Sequence, residues 1–298
     1  VTSGDLDAET VPAAAGVALS APRRVLTSRC QRAGAWWTLT PDDPEVPMTV
    51  PLTELRVRAP EDVAALGTVL GVWAHPDDEA YLSAGLMALA RDAGNRVVCV
   101  TATRGELGTA DPARWPPGLL SAERTGEMAR CLGILGVTEH HWLDHPDGGC
   151  ADADPAAAIG ALAELIDQVR PDTVLTFAPD GLTGHPDHRT VSDWTTAAFR
   201  RAAPASARLL YTAVEQGWAD RWWEVNERLG VYLDAQPDPV RSDRLAVDLT
   251  LTGATLDRKV RALRAQTTQT AGLVAELGLA GYTEWVASEF FVAAPATS

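Results

Sequence analysis

The segment Trp73-Ala74-His75-Pro76-Asp77-Asp78-Glu79 sets an imidazole and three carboxylates close together, directly after an apolar stretch that reads as a strand. His75 and Asp78 are three residues apart across a bend stiffened by Pro76, so both can converge on one cation. An imidazole with a carboxylate suits zinc and related first-row divalent ions. Asp77 lies between them, points elsewhere, and is free to take a proton from water at the metal. An acidic helix start would also read Asp-Asp-Glu, because carboxylates favour the first helical turn. His75 ahead of the run favours the ligand reading.

A second segment, Asp180-Gly181-Leu182-Thr183-Gly184-His185-Pro186-Asp187-His188, also sits where a strand hands over to a helix. His188 can supply a third ligand, with His185 across from it and Asp187 placed to orient one of the rings. Three protein ligands and an open position make a catalytic zinc site. A Gly-rich turn with capping histidines is the competing reading. Three of the chain's six histidines fall in these two segments, which weighs against it.

Strand and helix patterns alternate from residue 67 onward. Strands are expected at Thr68–Ala74, Arg96–Thr101, Glu139–Leu143, Thr173–Phe177 and Arg208–Val214. Helices are expected at Tyr81–Asp92, Ser121–Leu135, Pro155–Val169 and Arg189–Ala202. The strands are short and apolar, as when both sheet faces are covered. Such alternation predicts an α/β fold, a Rossmann-like, mostly parallel sheet flanked by helices. Gly253–Leu277 reads as one long helix. Residues 1–66 read as an N-terminal β-rich appendage, with alternating stretches at Trp36–Thr40 and Thr53–Ala59 taken as antiparallel strands. The expected organisation is therefore 1–66 and 67–298.

His75–Glu79 and His185–His188 resemble the signatures HPDDE and HxDH of the LmbE/PIG-L family of N-acetylglucosaminyl deacetylases. The resemblance runs over roughly residues 67–290 and takes in Thr103–Gly108, Arg124, Glu127, Lys259 and Gln266–Gln269. It implies His75, Asp78 and His188 as metal ligands, Asp77 as general base, and His185 as oxyanion stabiliser or acid, with Asp187 as its partner. It also implies substrate contacts at Arg104 and Asp147. Thr183 stands where some members have Tyr, and Gln266 where many have His; both departures bear on the substrate.

His145-Pro146-Asp147 copies half of each motif but runs into Gly148-Gly149, so a second metal site there is not expected. His140 and His141 open a strand and are assigned packing or surface roles. Trp218, Trp222 and Trp223 cluster in a loop or short helix, where core packing is favoured over walling a sugar or acyl pocket.

The expected activity is metal-dependent hydrolysis of an N-acyl group, first of all N-acetyl, from an amino sugar or glycosylated small molecule. The expected metal is zinc, with ferrous iron or another divalent ion as the alternative. An S-conjugate amidase or a natural-product deacylase would use the same residues. A non-catalytic sugar- or nucleotide-binding module is disfavoured, because no GxGxxG follows the first strand. The net charge of −15 argues against nucleic acid and anionic membranes. Cys30, Cys99, Cys131 and Cys150 form no CxxC pair and are expected as reduced thiols. Asp5, Asp7 and Glu9 stand where a leader would carry positive charge. A soluble, cytoplasmic protein is expected, with a homo-oligomer allowed.

Overall fold

Val69–Trp73 (β1) and Val97–Thr103 (β2) are buried at every position, the pattern of strands covered on both faces. The computed structural model of the chain describes residues 55–234 and 236–295. Trp36–Thr40, Cys30 and most of the expected appendage lie outside the described residues.

With Glu139–His145 (β3), Thr173–Thr176 (β4), Arg208–Thr212 (β5), Val247–Thr250 (β6) and Ser288–Ala293 (β7), these strands make a seven-stranded sheet. Its order is β3-β2-β1-β4-β5-β7-β6. The five strands read from the sequence run parallel, with β1 between β2 and β4. β7 pairs antiparallel with β5 and with β6, an antiparallel edge that the sequence pattern did not reveal.

The helices Asp78–Asp92 (α1), Pro117–Leu135 (α2), Pro155–Val169 (α3) and Pro186–Ala202 (α4) follow the first four strands. Each N-terminus has a local cause: Pro155 opens α3 while the Asp154 carboxylate accepts from Ala156 N, and Pro186 opens α4. Right-handed crossovers place α1 and α2 on one face and α3 and α4 on the other. Gln216–Leu229 (α5) absorbs the tryptophan cluster: Trp222 is buried, Trp218 half-buried and Trp223 half-exposed.

The long helix expected over Gly253–Leu277 is two helices, Gly253–Arg264 (α6) and Thr267–Trp285 (α7). The break falls at Gln266, whose backbone leaves helical geometry at φ −96° and ψ 59°. Its amide enters the core and donates to Glu79, a tertiary contact that overrides the local pattern.

Residues 55–66 contribute to the same core. Leu55, Val57, Val63 and Leu66 are buried, and Pro60–Leu66 forms a 3₁₀ helix. Val57 makes a parallel bridge to Val247 on β6, not the antiparallel pairing expected of Thr53–Ala59. That bridge covers part of the sheet's outer edge. No helix among the described residues is long and apolar enough to cross a membrane.

Lys259 and Glu289 form a fully buried ion pair at 2.8 Å. The Lys259 ammonium also donates to Tyr81 O, while the Glu289 carboxylate accepts from Gly85 N and Leu86 N. The pair thus ties α6 and β7 to the middle of α1. Removing one partner strands a charge in low dielectric. Lys259→Met is expected to lower the urea-unfolding free energy by about 3–5 kcal/mol. A loss under about 1 kcal/mol would show that the pair does not hold these elements together.

Candidate active site

The sheet reverses its winding between β1 and β4, and open α/β sheets bind ligands outside the strand ends at such a point. Both motifs arrive there. Asp78 is the first residue of α1, and His188 lies in the first turn of α4. Two helix N-termini, each a positive dipole end, therefore meet at the two motif loops.

Three donor groups converge. His75 Nδ1 lies 3.2 Å from His188 Nε2, Asp78 Oδ2 is 3.6 Å from His75 Nδ1, and Asp78 Oδ1 is 3.4 Å from His188 Nε2. Ligand atoms bound tetrahedrally at zinc distances sit roughly 3.3 Å apart. The rings are oriented from behind. His188 Nδ1 donates to Gly181 O at 3.0 Å, which leaves Nε2 as a lone pair. His75 Nε2 faces the carboxylates of Asp147 and Asp187, each at 3.2 Å, which leaves Nδ1 toward His188. Two imidazole nitrogens and a carboxylate aimed at one another call for positive charge between them. A second proton on His75 meets that need, and so does a divalent cation, whose preferred donors these are. Burial disfavours charge on His75, yet Asp147, Asp187 and Asp78 outweigh it and hold its pKa well above the usual value. Burial opposes ionisation of Asp78, but His188 and His75 bring its pKa down to about 2.

The rings are packed as well as bonded. Phe177 stacks on His188 with ring centroids 4.1 Å apart and 13° between planes. Gly181 has φ +76°, and a side chain there would crowd the His188 Cβ.

Asp77 caps α1 with φ 108°, a conformation rare outside glycine and costly by roughly 1–3 kcal/mol. Its N–H donates to Glu79 Oε2 at 2.9 Å, and its carboxylate lies 3.5 Å from the buried Arg124 guanidinium. Arg124 also donates to Pro76 O and to Gly105 O. Gly105, at φ +64°, leaves the space that Arg124 fills. Glu79 is completed by Gln266 Nε2 at 2.6 Å. Burial pushes Asp77 up to about 8 against the pull of Arg124, with Asp78 and Glu79 adding to the rise.

His185 borders the same point: ring nitrogens of His75, His185 and His188 lie within 4.8 Å of one another. Its Nδ1 accepts from Asp187 N at 3.1 Å, so the ring carries its proton on Nε2. Burial and the charge on His75 lower its pKa. These facts correct the expectation of a protonated His185 partnered by the Asp187 carboxylate. That carboxylate is fully buried, accepts from Gly148 N and Cys150 N, and orients His75.

Asp147 is closer to the centre than its motif suggested. It shares His75 Nε2 with Asp187 and accepts from Leu107 N. Nothing in Asp147's own surroundings signals this, because β3 and β1 bring the two residues together. Arg104 is held by Asp144 at 2.7 Å and by Thr125, and stacks on Trp142; among the described residues it makes no contact with the cluster. Arg124 and Gln266 were noted in sequence only as points of resemblance.

A profile of the family described as PIG-L: GlcNAc-PI de-N-acetylase matches residues 70–199. The chain is 33% identical over 227 residues to a 1D-myo-inositol 2-acetamido-2-deoxy-alpha-D-glucopyranoside deacetylase of Mycobacterium sp. (strain KMS). That match covers 67% of this chain and 73% of the relative. A protein of the same description from Kineococcus radiotolerans is 37% identical over 202 residues, 58% of this chain. The match takes in 53% of that relative, so the chain spans about half its length. Among solved structures, a deacetylase of the teicoplanin biosynthesis pathway matches with a TM-score of 0.54 at 15% identity. It covers 77% of this chain and 100% of that one, and at such identity the likeness speaks for the fold.

His141 is exposed, His145 lies beside Trp194, and His140 meets Thr101 Oγ1 at 3.0 Å. Burial lowers the His140 pKa to about 4. A depressed histidine pKa means that the unfolded chain binds more protons, so this contribution is present above pH 6.5 and lost as pH falls toward 4. Urea unfolding of the parent and of His140→Gln should show their stability difference shrinking by about 1–2 kcal/mol from pH 7.5 to pH 5. A difference that does not change with pH would contradict the buried, neutral assignment.

Proposed function

Because the chain belongs to the PIG-L family, we propose that it is a metal-dependent hydrolase that removes an N-acyl group from an amino sugar or glycosylated small molecule. The observation that carries this reading is the 3.2–3.6 Å convergence of His75, Asp78 and His188, with Asp77 beside it at the switch point. His75 Nδ1, His188 Nε2 and the Asp78 carboxylate would hold the cation. Two imidazoles and a carboxylate suit zinc, and ferrous iron nearly as well. Such a cation supplies Lewis acidity to the amide carbonyl and acidifies a water at the site.

The chain's own groups do the rest. Asp77 takes the proton of the attacking water at a carboxylate oxygen. Burial raises the Asp77 pKa, and a cation held by the adjacent Asp78 would favour its ionised form, the form that can accept a proton. The proton then passes from Asp77 to the departing amine. His185, neutral and carrying its proton on Nε2, donates to the developing oxyanion. Asp187 and Asp147 keep His75 in the tautomer that binds metal. Asp147, Arg104 and Asp144 lie at the ends of β2 and β3 and offer the polar contacts that a sugar needs.

An S-conjugate amidase or natural-product deacylase would employ the same groups. A non-catalytic module would have no use for a carboxylate held at φ 108° beside three ligands. The buried free thiols Cys99, Cys131 and Cys150 support a cytoplasmic location.

Asp78→Ala and His188→Ala are expected to lose bound metal. Asp77→Asn should keep the metal and the fold while acetate release from N-acetylglucosamine conjugates drops about 10²–10⁴-fold. Elemental analysis beside kinetics decides the matter: an Asp77→Asn protein that is metal-free, or fully active, removes Asp77 as the base. His185→Ala should retain metal and lose about 10²–10³ in rate. Because His185 works neutral, its loss should not abolish an alkaline limb of the pH profile; a limb that disappears would return His185 to an imidazolium role.

A further inference from the structure

The cluster opens on one side into a cavity of about 310 Å³. Asp78 and His188 stand in its wall, and the rest of the lining is mostly apolar, including Tyr81, Leu82, Trp218, Leu229, Val231 and Trp285. Apart from the Tyr232 hydroxyl, its polar side chains beyond the cluster are engaged already. Both Glu289 oxygens are taken by Lys259 and by backbone N–H groups of α1. Tyr81 Oη accepts from Tyr282, and Trp218 Nε1 donates to Trp285 O. Thr183 Oγ1 lies at His188 Nδ1, and Ser288 Oγ at Thr250 Oγ1.

We infer that this cavity seats the acyl group, and that the site is built for a long apolar acyl chain rather than for acetyl. The inference rests on the hydrolase reading above. A sugar buried there would leave its hydroxyls short of partners, which is costly. An alkyl chain needs none. The volume is about twice that of the ~150 Å³ apolar cavity that holds benzene. An acetyl methyl would leave most of its wall without contact.

Strand order gives the direction. Arg104 follows β2, and Asp144 and Asp147 lie at the end of β3, on one side of the switch, whereas Ala213 follows β5 and Trp218 and Phe290 belong to α5 and β7 on the other. An N-acyl amino sugar laid across the metal cluster puts its polar ring on the first side and its chain in the cavity. Water adds to the acyl carbon, the C–N bond breaks, the amine leaves with the water's proton, and a fatty carboxylate remains.

The test is a chain-length series, N-acetyl to N-octanoyl glucosamine, on the metal-loaded protein. Full burial is worth about fourfold per methylene, so kcat/KM should rise at least about 30-fold from acetyl to octanoyl. A flat or falling series overturns the inference while leaving the hydrolase intact. If no member is hydrolysed, the hydrolase reading fails, and calorimetry of octanoate against acetate still tests the cavity. Octanoate binding at least about tenfold tighter supports it; equal binding overturns it. Ala213→Phe, which narrows the cavity, should cut the octanoyl-to-acetyl ratio of kcat/KM at least about tenfold. An unchanged ratio in a folded variant places the chain elsewhere.

Discussion

Two imidazole nitrogens and a carboxylate held 3.2–3.6 Å apart repel unless positive charge lies between. The surroundings of the site resist that repulsion. The Asp187 carboxylate is fixed by two backbone N–H groups from the loop after β3, and in turn fixes the back of His75. Gly181 O and the face of Phe177 hold His188. Asp78 Oδ2 accepts from His75 N within the same turn, so backbone and ligand brace each other. A donor set restrained this way cannot relax apart, which gives a cation a ready site and lets metal affinity depend on groups behind the ligands.

The parallel sheet makes such bracing possible because it delivers four loops to one crevice. His75 follows β1, Arg104 follows β2, Asp147 follows β3, and His185 and His188 follow β4. Strain concentrates in the loops that carry the chemistry. Asp77 at φ 108° and Leu182 at φ 61° are two of the four non-glycine residues with positive φ among the described residues. Each such residue costs roughly 1–3 kcal/mol and persists only when over-determined by its neighbours. For Asp77 those neighbours are Glu79 and the buried Arg124.

What could be read from sequence follows from how local each signal is. The five parallel strands and their helices were legible because continuous apolar runs alternate with helical spacing over short windows. The residues that converge were visible as two motifs because His75 and Asp78 share one turn and His185 and His188 another. Asp147 was read as a substrate contact and not as a neighbour of His75, since its own surroundings lack a second ligand and His75 lies far away in sequence. The neutral tautomer of His185 depends on a single backbone contact, Asp187 N to Nδ1, that no motif encodes. β6 and β7 were missed because these antiparallel strands carry mixed burial, as in the alternation along Ser288–Ala293. The boundary near residue 66 rested on a change of composition. Composition does not report that Leu55, Val57 and Val63 are buried in the main core.

The break between α6 and α7 shows why a local pattern can mislead near a functional centre. Helical periodicity runs on through Ala265 and Gln266, and a continuous helix would satisfy every backbone group there. The chain leaves helical geometry at Gln266 instead, and the side chain so released reaches Glu79, which accepts the N–H of Asp77. Two residues later, Thr268 gives its N–H and hydroxyl to the buried Glu127 of α2. Two acidic groups in low dielectric thereby gain neutral donors, where a cation would have pulled charge away from the metal cluster. Glutamine suits the position for the same reason: its amide donates at every pH, so the hydrogen bond it gives Glu79 does not depend on its own protonation. The helix is interrupted where the conformation of Asp77 has to be held.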